Sequence, residues 1–189
     1  MSPATQFYFA YGSNLSHVQM RSRCPRAIPY GRAYLPDYQI DFKENGSRCG
    51  VTTIEPALGK FVEGGLYRIT GECRKQLDRF EGYPFTYYRE KIRVFTYDHQ
   101  EIMAITYVMQ DHFYRAVPSV GYVRRIEEGY KDFRIPMDTL RSAYNSVKRS
   151  VYHREIRGAT HARTNRSAEM GDCTSCAAGH IFLPNVKKT

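Results

Sequence analysis

The sequence predicts an α+β protein built on a curved sheet or small barrel with surrounding helices, not on regular βαβ units. Two observations carry this. Several short aromatic runs read as strands, and the helical stretches between them are scattered. Aromatic residues make up 14% of the 189-residue chain, with 16 Tyr, 10 Phe and no Trp. Such residues favour strands, and tyrosine adds hydroxyls that can line a polar cavity.

In chain order, residues 6–11 alternate and predict a strand. Residues 14–23 predict a short helix after a Gly-Ser-Asn turn. Residues 26–42 are aromatic and interrupted by Pro29, Gly31 and Pro36, which predicts one or two short bent strands with proline at edges or bulges. Residues 49–56 and 60–69 predict two further strands, the second kinked at Gly64-Gly65. The segment 71–82 predicts a helix, and 87–109 two strands turning at the Tyr-Asp-His-Gln-Glu sequence. Residues 119–133 and 136–148 predict two helices, with Pro136 opening the second.

Composition changes near residue 149. The formal net charge is +9, of which residues 148–189 carry +5 and residues 1–147 only +4. The expectation is a folded domain over 1–148 and a basic extension over 149–189, partly loop or disordered. No stretch approaches the ~18 apolar residues that would span a bilayer. The N-terminus lacks the pattern of a signal peptide. The five cysteines, Cys24, Cys49, Cys73, Cys173 and Cys176, fit reduced thiols in the cytoplasm better than a disulfide framework.

Four features could carry chemistry. The turn at Tyr11, Gly12, Ser13 and Asn14 joins a strand to a helix and leaves backbone N–H groups free at the helix start. It lacks the glycine run and lysine of a triphosphate cradle. It suits a carboxylate, or is simply a capped turn. Glu81 is the second feature. Cys73, Leu77 and Phe80 define the apolar face of the 71–82 helix, and Glu81 falls on that face. Glu72 and Asp78 lie elsewhere and read as solvated. Gly82 reads as the glycine that ends the helix. The helix dipole, and burial beside Phe80, Tyr83 and Phe85, would push the Glu81 pKa up, towards a general base. A frayed helix end turned to water is the alternative. The third feature is the tyrosines. Tyr83, Tyr87, Tyr88 and Tyr122 each could present a hydroxyl to a cavity. Fourth, Cys173, Cys176 and His180 have partial zinc spacing, with His153 or His161 as a fourth ligand. One such pair is a weak signal, and no metal or cofactor is expected. His17, His99 and His112 suggest surface or capping roles.

Phe-Ala-Tyr-Gly-Ser-Asn-Leu at 9–15 resembles the opening motif of the γ-glutamylcyclotransferase superfamily. The strand-like segments 33–42, 50–54 and 63–69 follow in that family's order. Residues 77–90 resemble its segment carrying a catalytic glutamate, which maps to Glu81. Residues 118–126 resemble a later segment whose tyrosine faces the substrate, which maps to Tyr122. The resemblance covers about 7–147. It implies a compact mixed barrel and release of 5-oxoproline from a γ-glutamyl amide. It also implies that Tyr11, Gly12, Ser13 and Asn14 hold the glutamyl group.

The expected partner is a small γ-glutamyl substrate, with no membrane, no nucleic acid, and a monomer or homodimer. Rival readings are a catalytically idle module that binds a γ-glutamyl compound, and a binder of nucleic acid or anionic surfaces through the basic tail. Arg115, Arg124 and Arg125, near Tyr122 in sequence, could favour an acidic leaving group.

Overall fold

The computed structural model describes residues 4–44, 46 and 49–161, with side chains through residue 156. Five strands form a closed barrel in the order β1-β3-β2-β4-β5. They are β1 (Thr5–Ala10), β2 (Ile28–Glu44), β3 (Gly50–Thr70), β4 (Tyr87–Thr96) and β5 (Glu101–Met109). The helices are α1 (His17–Arg23), α2 (Gly71–Phe80), α3 (Val120–Asp132) and α4 (Asp138–His161), with a 3-10 turn at Ser13–Leu15 before α1. The expected α+β barrel with surrounding helices is the observed architecture.

The ladders are antiparallel except at the closure, where β1 and β5 pair in parallel with Phe7 opposite Ala104 and Tyr8 opposite Ile105. The mixed character of the barrel rests on that one pair.

The interrupted segment 26–42 forms one strand, not two. Its register shifts fall at Pro29/Gly31 and Pro36/Tyr38. Proline lacks the N–H that a ladder needs, and a bulge is where the ladder can do without it. The two strands expected at 49–56 and 60–69 are likewise one continuous strand, β3. No register shift falls at Gly64 and Gly65, which make room for their neighbours. A Cβ on Gly64 would sit 2.4 Å from the Ala10 carbonyl oxygen, and one on Gly65 2.4 Å from the Phe133 ring.

The core contains Phe9, Phe42, Ile54, Leu66, Ile69, Leu77, Val94 and Ile126, all buried. In β1 the residues Tyr8, Phe9 and Ala10 are all buried, so both faces of the strand's end are covered. The helix α4 lies against β2 and buries Leu140, Ala143 and Val147. It runs on past residue 148 to His161, with exposed side chains over 152–156. The chain from 162 onward, including Cys173, Cys176 and His180, lies outside the described residues. Among the described residues no helix is long and apolar enough to cross a membrane. Cys24 and Cys73 are free and buried. Cys49 departs from the expectation of reduced thiols, because it is disulfide-bonded. Spacing along a chain carries no information about which sulfurs folding brings together.

Candidate active site

The site lies where β1 runs into the 3-10 turn. Tyr8 and Tyr11 precede the turn, which Tyr67 of β3 holds by donating its hydroxyl to the Leu15 carbonyl at 2.9 Å. The N–H of His17 donates to Asp132 of α3 at 2.7 Å. Within the turn, the N–H of Leu15 donates to the Gly12 carbonyl and that of Ser16 to the Ser13 carbonyl. Among the described residues, the N–H groups of Gly12, Ser13 and Asn14 find no protein acceptor. Gly12 is required by space: a Cβ there would sit 2.0 Å from the Thr52 hydroxyl oxygen. The next helix, α1, begins at Ser16, whose hydroxyl accepts from the Gln19 N–H at 3.4 Å.

The glutamate arrives on α2. Thr70 caps this helix by accepting from the Cys73 N–H at 3.2 Å. Cys73 and Leu77 bury its inner face. Full burial of a leucine contributes about 1.5–3 kcal/mol, enough to fix the helix against the barrel. Glu81 occupies the C-cap, and Gly82 follows with φ 63°. The side chain of Glu81 is 16% exposed and points inward. Asn14 donates its Nδ2 to Glu81 Oε1 at 2.9 Å, and the same nitrogen lies 2.9 Å from the Tyr8 hydroxyl.

One narrow cavity of ≈ 30 Å³ joins these groups. It is lined by Tyr8, Tyr11, Gly12, Ser13, Asn14 and Glu81, closed by Thr52, Tyr87, Tyr107 and Tyr122. All six residues singled out from sequence, Tyr11, Gly12, Ser13, Asn14, Glu81 and Tyr122, therefore meet at one place. Tyr122 sits in the first turn of α3, where Ser119 accepts its N–H at 3.2 Å. Its hydroxyl lies 2.9 Å from Thr52 Oγ1 and accepts from the Thr52 N–H at 3.1 Å. Tyr87 donates to the Thr52 carbonyl at 2.8 Å, and Tyr11 to the Tyr107 carbonyl.

Burial pushes the Glu81 pKa up from its ordinary value, against the attraction of Arg23 and the hydrogen bond from Asn14. The direction agrees with the sequence reading, but the surroundings differ. Phe80, Tyr83 and Phe85 are too exposed to desolvate the carboxylate. The tyrosine-lined cavity does so instead. Phe80 turns outward beneath the Arg23 guanidinium, 4.9 Å from its ring centre. Burial also raises the pKa of Tyr8, Tyr11, Tyr87, Tyr107 and Tyr122, so all five are neutral donors at physiological pH.

Several expectations need correction. Asp78 is not solvated; it accepts from the Tyr107 hydroxyl at 2.7 Å and pairs with Arg89 at 3.2 Å. Of the other tyrosines considered, Tyr83 and Tyr88 stay out of the cavity lining, and Arg89 lies over the Tyr83 ring at 4.3 Å. Arg115 is committed to Asp41 at 2.8 Å, so it is not free for a ligand. His17 is more than a surface residue, since its ring packs edge-on against Phe133, 4.9 Å between centres. Among the described residues no group of three metal-ligating side chains forms.

Sequence reasoning missed Tyr8, Thr52 and Tyr107 in the cavity, and Arg23 and Gln19 behind it. Tyr8 had a local signal, because alternation in β1 separates it from Phe7 and Phe9. Gln19 and Arg23 are four residues apart and share a face of α1. Thr52 and Tyr107 carry no such mark.

A family model described as gamma-glutamyl cyclotransferase, AIG2-like, matches residues 8–131. The chain belongs to this family. The match takes in every residue that lines the cavity. Among curated relatives, the gamma-glutamylcyclotransferase of Bos taurus is 29% identical over 157 residues, covering 79% of this chain and 82% of its own. That of Homo sapiens is 30% identical over 138 residues, covering 69% and 73%. A solved gamma-glutamyl cyclotransferase superposes with a TM-score of 0.66 at 27% identity, covering 77% of this chain and 87% of that one. The family match stops at 131, so α4 lies beyond it.

Proposed function

We propose that this cyclotransferase-family enzyme releases 5-oxoproline and a free amine from a γ-glutamyl amide, with Glu81 as general acid and base. The α-amine nitrogen of the substrate attacks its own γ-carbonyl carbon. A five-membered ring closes, and the bond from that carbon to the amide nitrogen breaks. The amine starts as an ammonium, which cannot attack. Glu81 removes one proton from the ammonium and passes it to the departing nitrogen; the second proton that the ring nitrogen sheds on closure follows the same route, so the amine leaves as an ammonium and the enzyme ends unchanged.

The observation that carries this reading is the position of Glu81: a buried carboxylate facing a turn whose N–H groups at 12–14 find no acceptor among the described residues. A raised pKa brings a carboxylate closer to the working pH of a base that must both take and give a proton. The N–H groups of residues 12–14 suit the substrate's α-carboxylate, and Tyr122 borders the same space. Holding the cyclising conformer exploits effective molarities that reach ~10⁵–10⁸ M in well-oriented ring closures. The cavity is far smaller than the ~300–1,000 Å³ of pockets that take drug-sized ligands, which argues against a nucleotide.

The test is a panel of γ-glutamyl amides whose leaving groups are a free amino acid, the ε-amine of lysine, a polyamine and the cysteinylglycine of glutathione. Product 5-oxoproline is detected by mass. At least one amide is expected to turn over. Glu81→Gln is expected to lower that rate by ~10²–10⁴-fold while the protein stays folded. A Gln variant as active as the parent overturns the assignment, and binding without turnover across the panel favours an idle binding module.

A further inference from the structure

We propose that Arg23 is a positioning residue, which fixes the Asn14 amide so that it donates to Glu81 and holds the carboxylate as an ionised acceptor. This rests on the proposed role of Glu81 as the base.

The argument begins with an ambiguity in Asn14. A carboxamide has a donor end and an acceptor end, and either could face a carboxyl group. If the oxygen faced Glu81, two acceptors would oppose each other unless the acid kept its proton. A base that keeps its proton cannot start the reaction. Something must therefore choose the amide's orientation.

The choice is made on the far side of Asn14. Arg23 donates from Nη1 to Asn14 Oδ1 at 2.7 Å. Gln19 donates to the same oxygen at 3.4 Å, and to the Ser13 hydroxyl at 2.6 Å. An arginine has five N–H donors and no acceptor, so it can meet only the oxygen end of an amide. The Nδ2 end is then turned to Glu81 Oε1 and the Tyr8 hydroxyl, each at 2.9 Å.

The same guanidinium also acts through its charge. Its Nη1 lies 3.6 Å from Glu81 Oε1, with the Arg23 side chain only 12% exposed. At that distance, away from water, an opposite charge favours the ionised carboxylate. The other titratable groups around Glu81 are Tyr8 and Tyr11 at the end of β1, Tyr87 on β4, Tyr107 on β5 and Tyr122 on α3. All five stay neutral, and Asp78 lies behind the Tyr107 hydroxyl. Arg23 is therefore the cation that balances the burial of Glu81.

The geometry follows from local sequence. Ser16 caps α1 and sets its phase. Residues 19 and 23 then face the turn together, while Met20 buries into the core. The result is a strut from α1 to the C-cap of α2, passing through the substrate turn.

The experiment compares wild type, Arg23→Met, Arg23→Lys and Arg23→Gln. Two readouts are taken: the pH profile of kcat/KM for 5-oxoproline release, and the titration of Glu81 followed by carboxylate ¹³C NMR, assigned with Glu81→Gln. In Arg23→Met the acid limb and the NMR midpoint are expected to move up together by about one pH unit or more, as for loss of a neighbouring opposite charge. Arg23→Lys keeps the charge and likewise offers only donors, so its midpoint returns towards wild type and the rate recovers at least in part. Arg23→Gln removes the charge while keeping a donor, and gives the same upward shift should Arg23→Met fail to fold. An unmoved midpoint in Arg23→Met, or in Arg23→Gln where that variant fails to fold, overturns the proposal, and a lower rate alone does not rescue it. If wild type releases no 5-oxoproline from any amide, the functional reading fails, yet the NMR midpoint still judges the coupling of Arg23 to Glu81.

Discussion

Glu81 is held by opposed influences, and their balance can be measured through folding as well as through turnover. Burial disfavours its charge, while Arg23 and Asn14 favour it; burial prevails, so its pKa in the folded protein lies above the ordinary 4.5. For a group shifted in this sense, stability is fully present below the unfolded pKa and is lost as pH rises through the folded one. As pH rises above the unfolded pKa, wild type therefore loses stability that a permanently protonated carboxyl would keep. Glutamine mimics the protonated form at every pH. The variant Glu81→Gln is expected to have a higher Tm than wild type at pH 7, and the gap should close on acidification below about pH 4.5. Thermal melts from pH 3 to 8 check this. A variant less stable than wild type at pH 7 means that leaving Arg23 without its carboxylate costs more than burial. In the sequence, the place of this glutamate on an apolar helix face was readable from spacing. Its partner was not, because Arg23 lies 58 positions earlier and looks like any other cation of a short helix.

The elements were legible wherever a local rule governs them and obscure wherever packing does. Ser119 and Gly82 bound helices as their chemistry requires, and the turn at 97–100 separates β4 from β5. The fusion of two expected strands into β3 depends on what Gly64 and Gly65 must accommodate across the barrel, which no window of sequence contains. Helix α3 shows the same contrast within thirteen residues. Gly129 faces the turn so closely that a Cβ would lie 2.3 Å from Leu15 Cβ and 2.5 Å from the Ser16 nitrogen. A Cβ on Gly121 would meet no other part of the described structure within 4 Å beyond its own helix. Gly129→Ala must push α3 off the turn, and such overpacking costs ~1–3 kcal/mol. Because α3 also carries Tyr122, this variant should lose turnover as well as stability. Gly121→Ala is expected to gain ~0.4–1 kcal/mol through the unfolded chain. Urea denaturation of the two single variants separates them. Equal destabilisation would mean that α3 does not depend on close approach at residue 129.

For the molecule as a whole, the barrel supplies the cavity wall and the helices supply its chemistry. Tyr8, Thr52, Tyr87 and Tyr107 come from four strands, and they meet only because β1 closes on β5. Closure is a long-range event, so the sequence could reveal the strands and the motifs without revealing which tyrosines would face one another. The same view bears on the basic C-terminal region. Among the described residues, every one that lines the cavity lies within positions 8 to 122, and the family match ends at 131. A chain ending after α4, at residue 161, loses Arg163, Arg166, Lys187 and Lys188 together with Glu169 and Asp172, so its net positive charge falls. The shortened chain also lacks Cys173 and Cys176, while Cys49 is disulfide-bonded and Cys24 and Cys73 are free, so both chains are compared fully reduced. Reduced, the shortened chain is expected to release 5-oxoproline with unchanged kcat/KM beside the full chain on the best amide of the panel. Binding of the full chain to nucleic acid or anionic vesicles, if measured, should fall steeply with salt and be weaker for the shortened chain, because cations that neutralise phosphates act through counterion release. If truncation instead lowers kcat while the protein remains folded, residues beyond 161 take part in the reaction, and the cavity described by residues 8–122 is incomplete.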